Sequence, residues 1–129
     1  MSEVQGVVVA HGNQARCLVE TTESISGVRG ALLPISNEGC SPDILASRIR
    51  EVVSLRRTLV FVDLASGSCA HAARIVSAEG AGAPVVSGVS LPMLLDFVFH
   101  LDLDAAELAR RAVEKGHAGA AAYFPDTSS

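Results

Sequence analysis

Short, uninterrupted apolar runs alternate along this chain with stretches whose apolar positions recur at helical spacing. Val4 to Ala10 is rich in β-branched residues and of strand length, which predicts a buried strand. Residues Asn13 to Ser26 follow, with Ala15, Leu18, Val19, Thr22 and Ile25 on one helical face. Val28 to Pro34 reads as a second strand. Ser41-Pro42-Asp43 then supplies a capping hydroxyl, a proline at the first helical position and an acid in the first turn. Leu45, Ile49, Val52 and Val53 form the apolar stripe of the helix it starts. Thr58 to Val62 is a third strand, Cys69 to Glu79 a helix of small residues, and Pro84 to Ser87 a fourth strand. Leu91 to Phe99 is a short helix. A last helix runs from Asp104 to Lys115, capped by Asp104 and expected to stop at Gly116.

Strands that alternate with helices predict a parallel sheet covered on both faces, an α/β three-layer sandwich. Short right-handed connections favour the strand order 2-1-3-4. That order places the first and third strands side by side. At 129 residues the chain reads as one domain spanning residues 1–129, with the last few residues expected to be disordered.

Composition narrows the function. The apolar fraction is 49%, yet no run approaches the roughly 20 apolar residues of a membrane helix. Met1-Ser2-Glu3 does not lead into a signal-type stretch, so the expected location is the cytoplasm. A net charge of −4 with scattered arginines speaks against a nucleic-acid partner. Cys17, Cys40 and Cys69 are irregularly spaced and match neither a disulfide framework nor a zinc pattern, so no metal is expected. There is no G-x-G-x-x-G after the first strand and no phosphate-loop motif elsewhere, so no nucleotide cofactor is expected either.

Candidate chemistry sits at the strand ends. The first run ends on His11 and the third on Asp63. Neighbouring parallel strands would bring both to one sheet edge, where a carboxylate makes one ring nitrogen a donor and leaves the other bare. The loops His11-Gly12-Asn13 and Asp63-Leu64-Ala65-Ser66-Gly67-Ser68 each run into a helix, whose N-terminal N–H groups favour an anion. Gly12 and Gly67 allow close approach of the backbone, and Ser66 and Ser68 add hydroxyl donors. The pattern suits a single phosphoryl group on His11.

Ala10-His11-Gly12, Val62-Asp63-Leu64-Ala65-Ser66-Gly67-Ser68 and Ser87-Gly88-Val89-Ser90-Leu91-Pro92-Met93-Leu94-Leu95 resemble motifs of the mannose-type enzyme IIA of the bacterial phosphoenolpyruvate-dependent sugar phosphotransferase system (PTS). The resemblance runs along nearly the whole chain. It implies that His11 accepts a phosphoryl group from the phosphocarrier protein HPr and passes it to an enzyme IIB. It gives Asp63 the role of hydrogen-bonding the active histidine, and Ser68 that of holding the phosphate. It also implies a homodimer in which a C-terminal strand, here His117 to Phe124, crosses to pair antiparallel at the neighbour's sheet edge. Contact with the membrane would come only through the transporter complex. The family pattern D-L-F-G-G-S-P is altered here, with Ala65, Ser66 and Cys69 in place of its aromatic, a glycine and the proline. These replacements make a regulatory acceptor the alternative to a sugar-specific one.

Two other readings stand beside this one. Ser66-Gly67-Ser68-Cys69-Ala70 faintly echoes a nucleophile elbow, which would make Cys69, His11 and Asp63 the triad of a hydrolase. A thiol at a helix start would have its thiolate favoured. The other is a non-catalytic module of the same fold that binds a small anion. Asn13 could face the phosphate or cap a helix, Asp63 could cap the element after it, and His71, His100 and His117 read as surface or helix-end residues.

Overall fold

A computed structural model describes residues 3–80 and 82–126. The last few residues, expected to be disordered, lie outside the described ones. The elements follow in the order β1 (Gln5–Ala10), α1 (Gln14–Ser26), β2 (Leu32–Ser36), α2 (Pro42–Leu55), β3 (Thr58–Val62), α3 (Ser68–Ser77), β4 (Val85–Ser87), α4 (Leu91–Val98) and α5 (Ala105–Gly119). The sheet has four strands ordered β2-β1-β3-β4, all parallel.

Side chains leave a strand on alternate faces, and β1 divides its residues accordingly. Val8 and Ala10 join Leu59 and Phe61 of β3 beneath α1, α4 and α5. Val7 and Val9 join Val60 and Val62 beneath α2 and α3. These are the three expected layers. Gly6 is required on the first of them, because a Cβ there would lie 2.6 Å from Leu32 Cδ2 and 2.7 Å from Phe97 Cε2. Phe97 in turn meets Phe61 edge to face, with ring centroids 5.5 Å apart.

The expected caps form: Ser41 accepts the Ile44 N–H at 3.2 Å and Asp104 the Glu107 N–H at 2.8 Å. Three expectations are corrected. The second strand begins at Leu32 rather than Val28, because α1 closes on a left-handed Gly27 and the chain turns again at Gly30. Ile25, placed on the inner face of α1, is 60% exposed. The last helix does not stop at Gly116 but continues to Gly119, so the first three residues of the expected C-terminal strand are helical. Gly116 and Gly119 are contact glycines. A Cβ on the first would clash with Met93 Cε, and one on the second would lie 2.8 Å from Pro92 Cγ. Residues Ala120 to Phe124 form no strand within the chain.

Candidate functional site

β1 and β3 are adjacent and in register, with Val9 opposite Val62. The residues just beyond them, His11 and Asp63, therefore leave the same edge together. Asp63 Oδ2 lies 2.7 Å from His11 Nδ1 and accepts the His11 backbone N–H at 3.0 Å. The other oxygen, Oδ1, accepts the Leu64 N–H at 3.0 Å. Burial pushes the Asp63 carboxyl up, but the bonds from the His11 ring, the His11 N–H and the Leu64 N–H outweigh it and hold the group below its ordinary value. Asp63 is therefore an anion, and an ionised carboxylate only accepts. The proton between the two groups therefore sits on Nδ1, so in the neutral ring Nε2 is the nitrogen with the lone pair.

The ring is open to solvent, with 42% of the His11 side chain exposed against 7% for Asp63. The entry to α3 flanks it. Gly67 precedes the helix at φ 101° and ψ −177°, a backbone conformation reserved for glycine, and a Cβ there would lie 3.9 Å from His11 Cε1. Cys69 Sγ is 3.8 Å from His11 Nδ1. Ser68, between these two residues, opens the helix. In the first turn of α3 the backbone N–H groups have no partner within the helix, and the dipole adds partial positive charge beside the ring. Ser66 and Ser68 are exposed at this entrance.

The predicted residues thus fall into two groups. Asp63 and Gly67 flank the His11 ring, while Ser66 and Ser68 lie on either side of Gly67 at the exposed entry to α3. Gly12 takes a different part: its N–H donates to Asn37 Oδ1 at 3.1 Å, and its carbonyl accepts from Ser36 Oγ at 2.7 Å. Both bonds pin the turn that carries His11. Ser36 and Asn37 escaped the sequence reading, though a polar pair ending the strand beside β1 was the available signal. Asn13 makes no side-chain cap to α1.

Cys69 corrects the hydrolase reading. Its side chain is fully buried. Burial first, and then the charge of Asp63, push the thiol up to about 11. Desolvation overrides the helix dipole, so the thiolate is disfavoured. Sγ also faces the protonated nitrogen of His11 rather than the bare one, which leaves it without a base. His11, Asp63 and Cys69 do bring one nitrogen, one oxygen and one sulfur donor within 4.8 Å of one another.

Comparison with known proteins agrees with the fold and decides the family. Residues 5–113 match the family model EIIA-man, described as the PTS system fructose IIA component. The chain belongs to this family. It is therefore a component of the sugar phosphotransferase system, and its partners are of that system. No curated protein sequence matches it. Among solved structures, the phosphotransferase system component EIIA from Streptococcus agalactiae is 24% identical with a TM-score of 0.82, covering 92% of this chain and 96% of that one. The mannose/sorbose specific IIA subunit from Enterococcus faecalis is 19% identical with a TM-score of 0.83, covering 98% and 100%. A sigma-54 interaction domain protein from Enterococcus faecalis is 13% identical with a TM-score of 0.74, covering 92% and 93%. At these identities the likeness establishes the fold. Among the described residues, no helix is long and apolar enough to cross a membrane.

Proposed function

We propose that this protein is a phosphohistidine phosphocarrier in which His11 Nε2 accepts a phosphoryl group from phospho-HPr and passes it to an enzyme IIB or to a regulatory acceptor. One observation carries the reading: Asp63 engages Nδ1 of the partly exposed His11 ring at 2.7 Å, which leaves Nε2 free on a ring whose Cε1 borders Gly67 at the entry to α3. The lone pair of Nε2 attacks phosphorus as the donor's N–P bond breaks, so no proton needs to move. The ring gains positive charge, which Asp63 offsets across the Nδ1–H bond. The first N–H groups of α3 and the Ser68 hydroxyl face the phosphoryl oxygens, with Gly67 allowing their approach. Ser66 adds a second hydroxyl at the rim. In-line transfer of this kind asks mainly for positioning and charge stabilisation, and the chain's own groups supply both without a cofactor.

The same reading makes residues 1–129 one cytoplasmic domain that meets the membrane only through a transporter complex. It also makes the functional form a homodimer. The outer edge of β4 and the facing sides of α4 and α5 line a groove of about 520 Å³, and Tyr123 and Phe124 are 85% and 70% exposed beyond α5. A neighbour's apolar tail on that edge would cover both.

The test is phosphorylation by enzyme I, HPr and labelled phosphoenolpyruvate, with His11→Ala alongside. Acid-labile label in the wild type and none in the variant is the expected result. No label in the wild type with cognate HPr overturns the reading in favour of a silent anion-binding module. Acceptor identity then follows from which protein discharges the labelled chain.

A further inference from the structure

We propose that His11, Asp63 and Cys69 form a site for a thiophilic divalent cation of the zinc type, and that filling it switches off phosphoryl acceptance by inverting the tautomer of His11. The donors come from the end of β1, the end of β3 and the first turn of α3, so only the folded chain assembles them. Their ligand atoms all lie within 4.8 Å, with Nδ1 at 3.8 Å from Sγ and 2.7 Å from Oδ2. Tetrahedral zinc with one nitrogen, one oxygen and one sulfur ligand sets its donors roughly 3.3 to 3.7 Å apart. The nitrogen–sulfur pair is already close to that spacing. The nitrogen–oxygen pair must open by roughly half an ångström as the ion replaces the proton between them, and the oxygen–sulfur pair, within 4.8 Å, must close to about 3.6 Å. Imidazole, carboxylate and thiolate together suit zinc better than magnesium or calcium, which favour oxygen ligands alone. Leu64 N–H and His11 N–H already hold the carboxylate in place, the outer support a metal ligand needs. Water would complete the coordination.

The consequence follows from the proton balance. Zinc takes the Nδ1 lone pair, so the neutral ring carries its proton on Nε2. The Nδ1 proton is in effect moved there through solvent, and the thiol proton is released to buffer as the metal ionises the sulfur. Nε2 then has no lone pair for phosphorus, although the cleft above it stays open. Inhibition rests on the phosphocarrier reading, whereas binding does not.

The experiment titrates the intact protein with Co²⁺, then displaces it with Zn²⁺, beside Cys69→Ala. A thiolate-to-cobalt charge-transfer band at one equivalent is expected in the wild type, absent from Cys69→Ala, with zinc affinity weakened by about tenfold or more in the variant. Long-range proton–nitrogen NMR on the wild type alone, which needs no variant to fold, should show the His11 proton move from Nδ1 to Nε2 on adding Zn²⁺. Saturating zinc should also stop labelling by phospho-HPr in the wild type and spare Cys69→Ala. A missing band, equal affinities or an unmoved proton overturns the metal site. If the band and the proton shift appear but neither protein is ever labelled, the site stands and the phosphocarrier reading falls.

Discussion

One oxygen of Asp63 holds His11 twice, meeting the ring at Nδ1 at 2.7 Å and the backbone N–H at 3.0 Å. The paired contacts fix both where the imidazole sits and which nitrogen faces the cleft. Ring and backbone cannot turn independently.

Asp63→Asn tests the electronic half of that relationship. An amide can donate to Nδ1, which would stabilise the tautomer with the proton on Nε2. Single-turnover phosphorylation by phospho-HPr should slow by roughly 100-fold or more, with far-UV circular dichroism unchanged. A wild-type rate in this variant removes Asp63 from the mechanism.

Acid should reveal the same pair in stability. The Asp63 carboxyl lies below its ordinary value of 3.8 in the folded chain. A depressed carboxylate contributes stability above its unfolded value and loses it as pH falls through the folded one. Thermal midpoints measured down from pH 5 should therefore decline through the region below about 4. Asp63→Asn should flatten that decline, and parallel curves would show that the His11 contact does not stabilise the anion.

Gly67→Ala places a side chain where φ is 101° and where the nearest atom is His11 Cε1 at 3.9 Å. The contact distance is ordinary, so the backbone conformation carries the cost, about 1 to 3 kcal/mol. Chemical denaturation should register the loss, and phosphorylation should slow as the entrance to α3 shifts. An unchanged midpoint would mean that the loop relaxes freely around the ring.

Cysteine reactivity separates the phosphocarrier from the hydrolase. With its thiol pushed up to about 11, Cys69 should resist iodoacetamide at neutral pH while the exposed Cys17 reacts. Peptide mass mapping before and after adding denaturant reads the difference directly. Rapid native alkylation of Cys69 with loss of activity would bring the hydrolase back.

Much of this protein was legible along the chain. Strand and helix alternation, the Ser41 and Asp104 caps and the buried faces of β1 and β3 depend on neighbours within a few residues, and those were readable directly. His11 and Asp63 were also legible, although 52 residues apart. Each ends an apolar run, and strand order alone brings the two ends together. Tertiary packing decided the rest. Gly116 looked like a helix stop because glycine often ends helices, but the close approach of Met93 and Pro92 makes it and Gly119 points of contact. The hold of Asn37 on Gly12, across 25 residues, needed the register of β2 against β1. Cys69, 58 residues from His11, matched no metal spacing, because spacing rules describe ligands that one local turn gathers. Periodicity and capping act within a turn or two and are written into the order of residues. Contacts across the sheet edge depend on how whole elements pack, and only the folded chain specifies those distances.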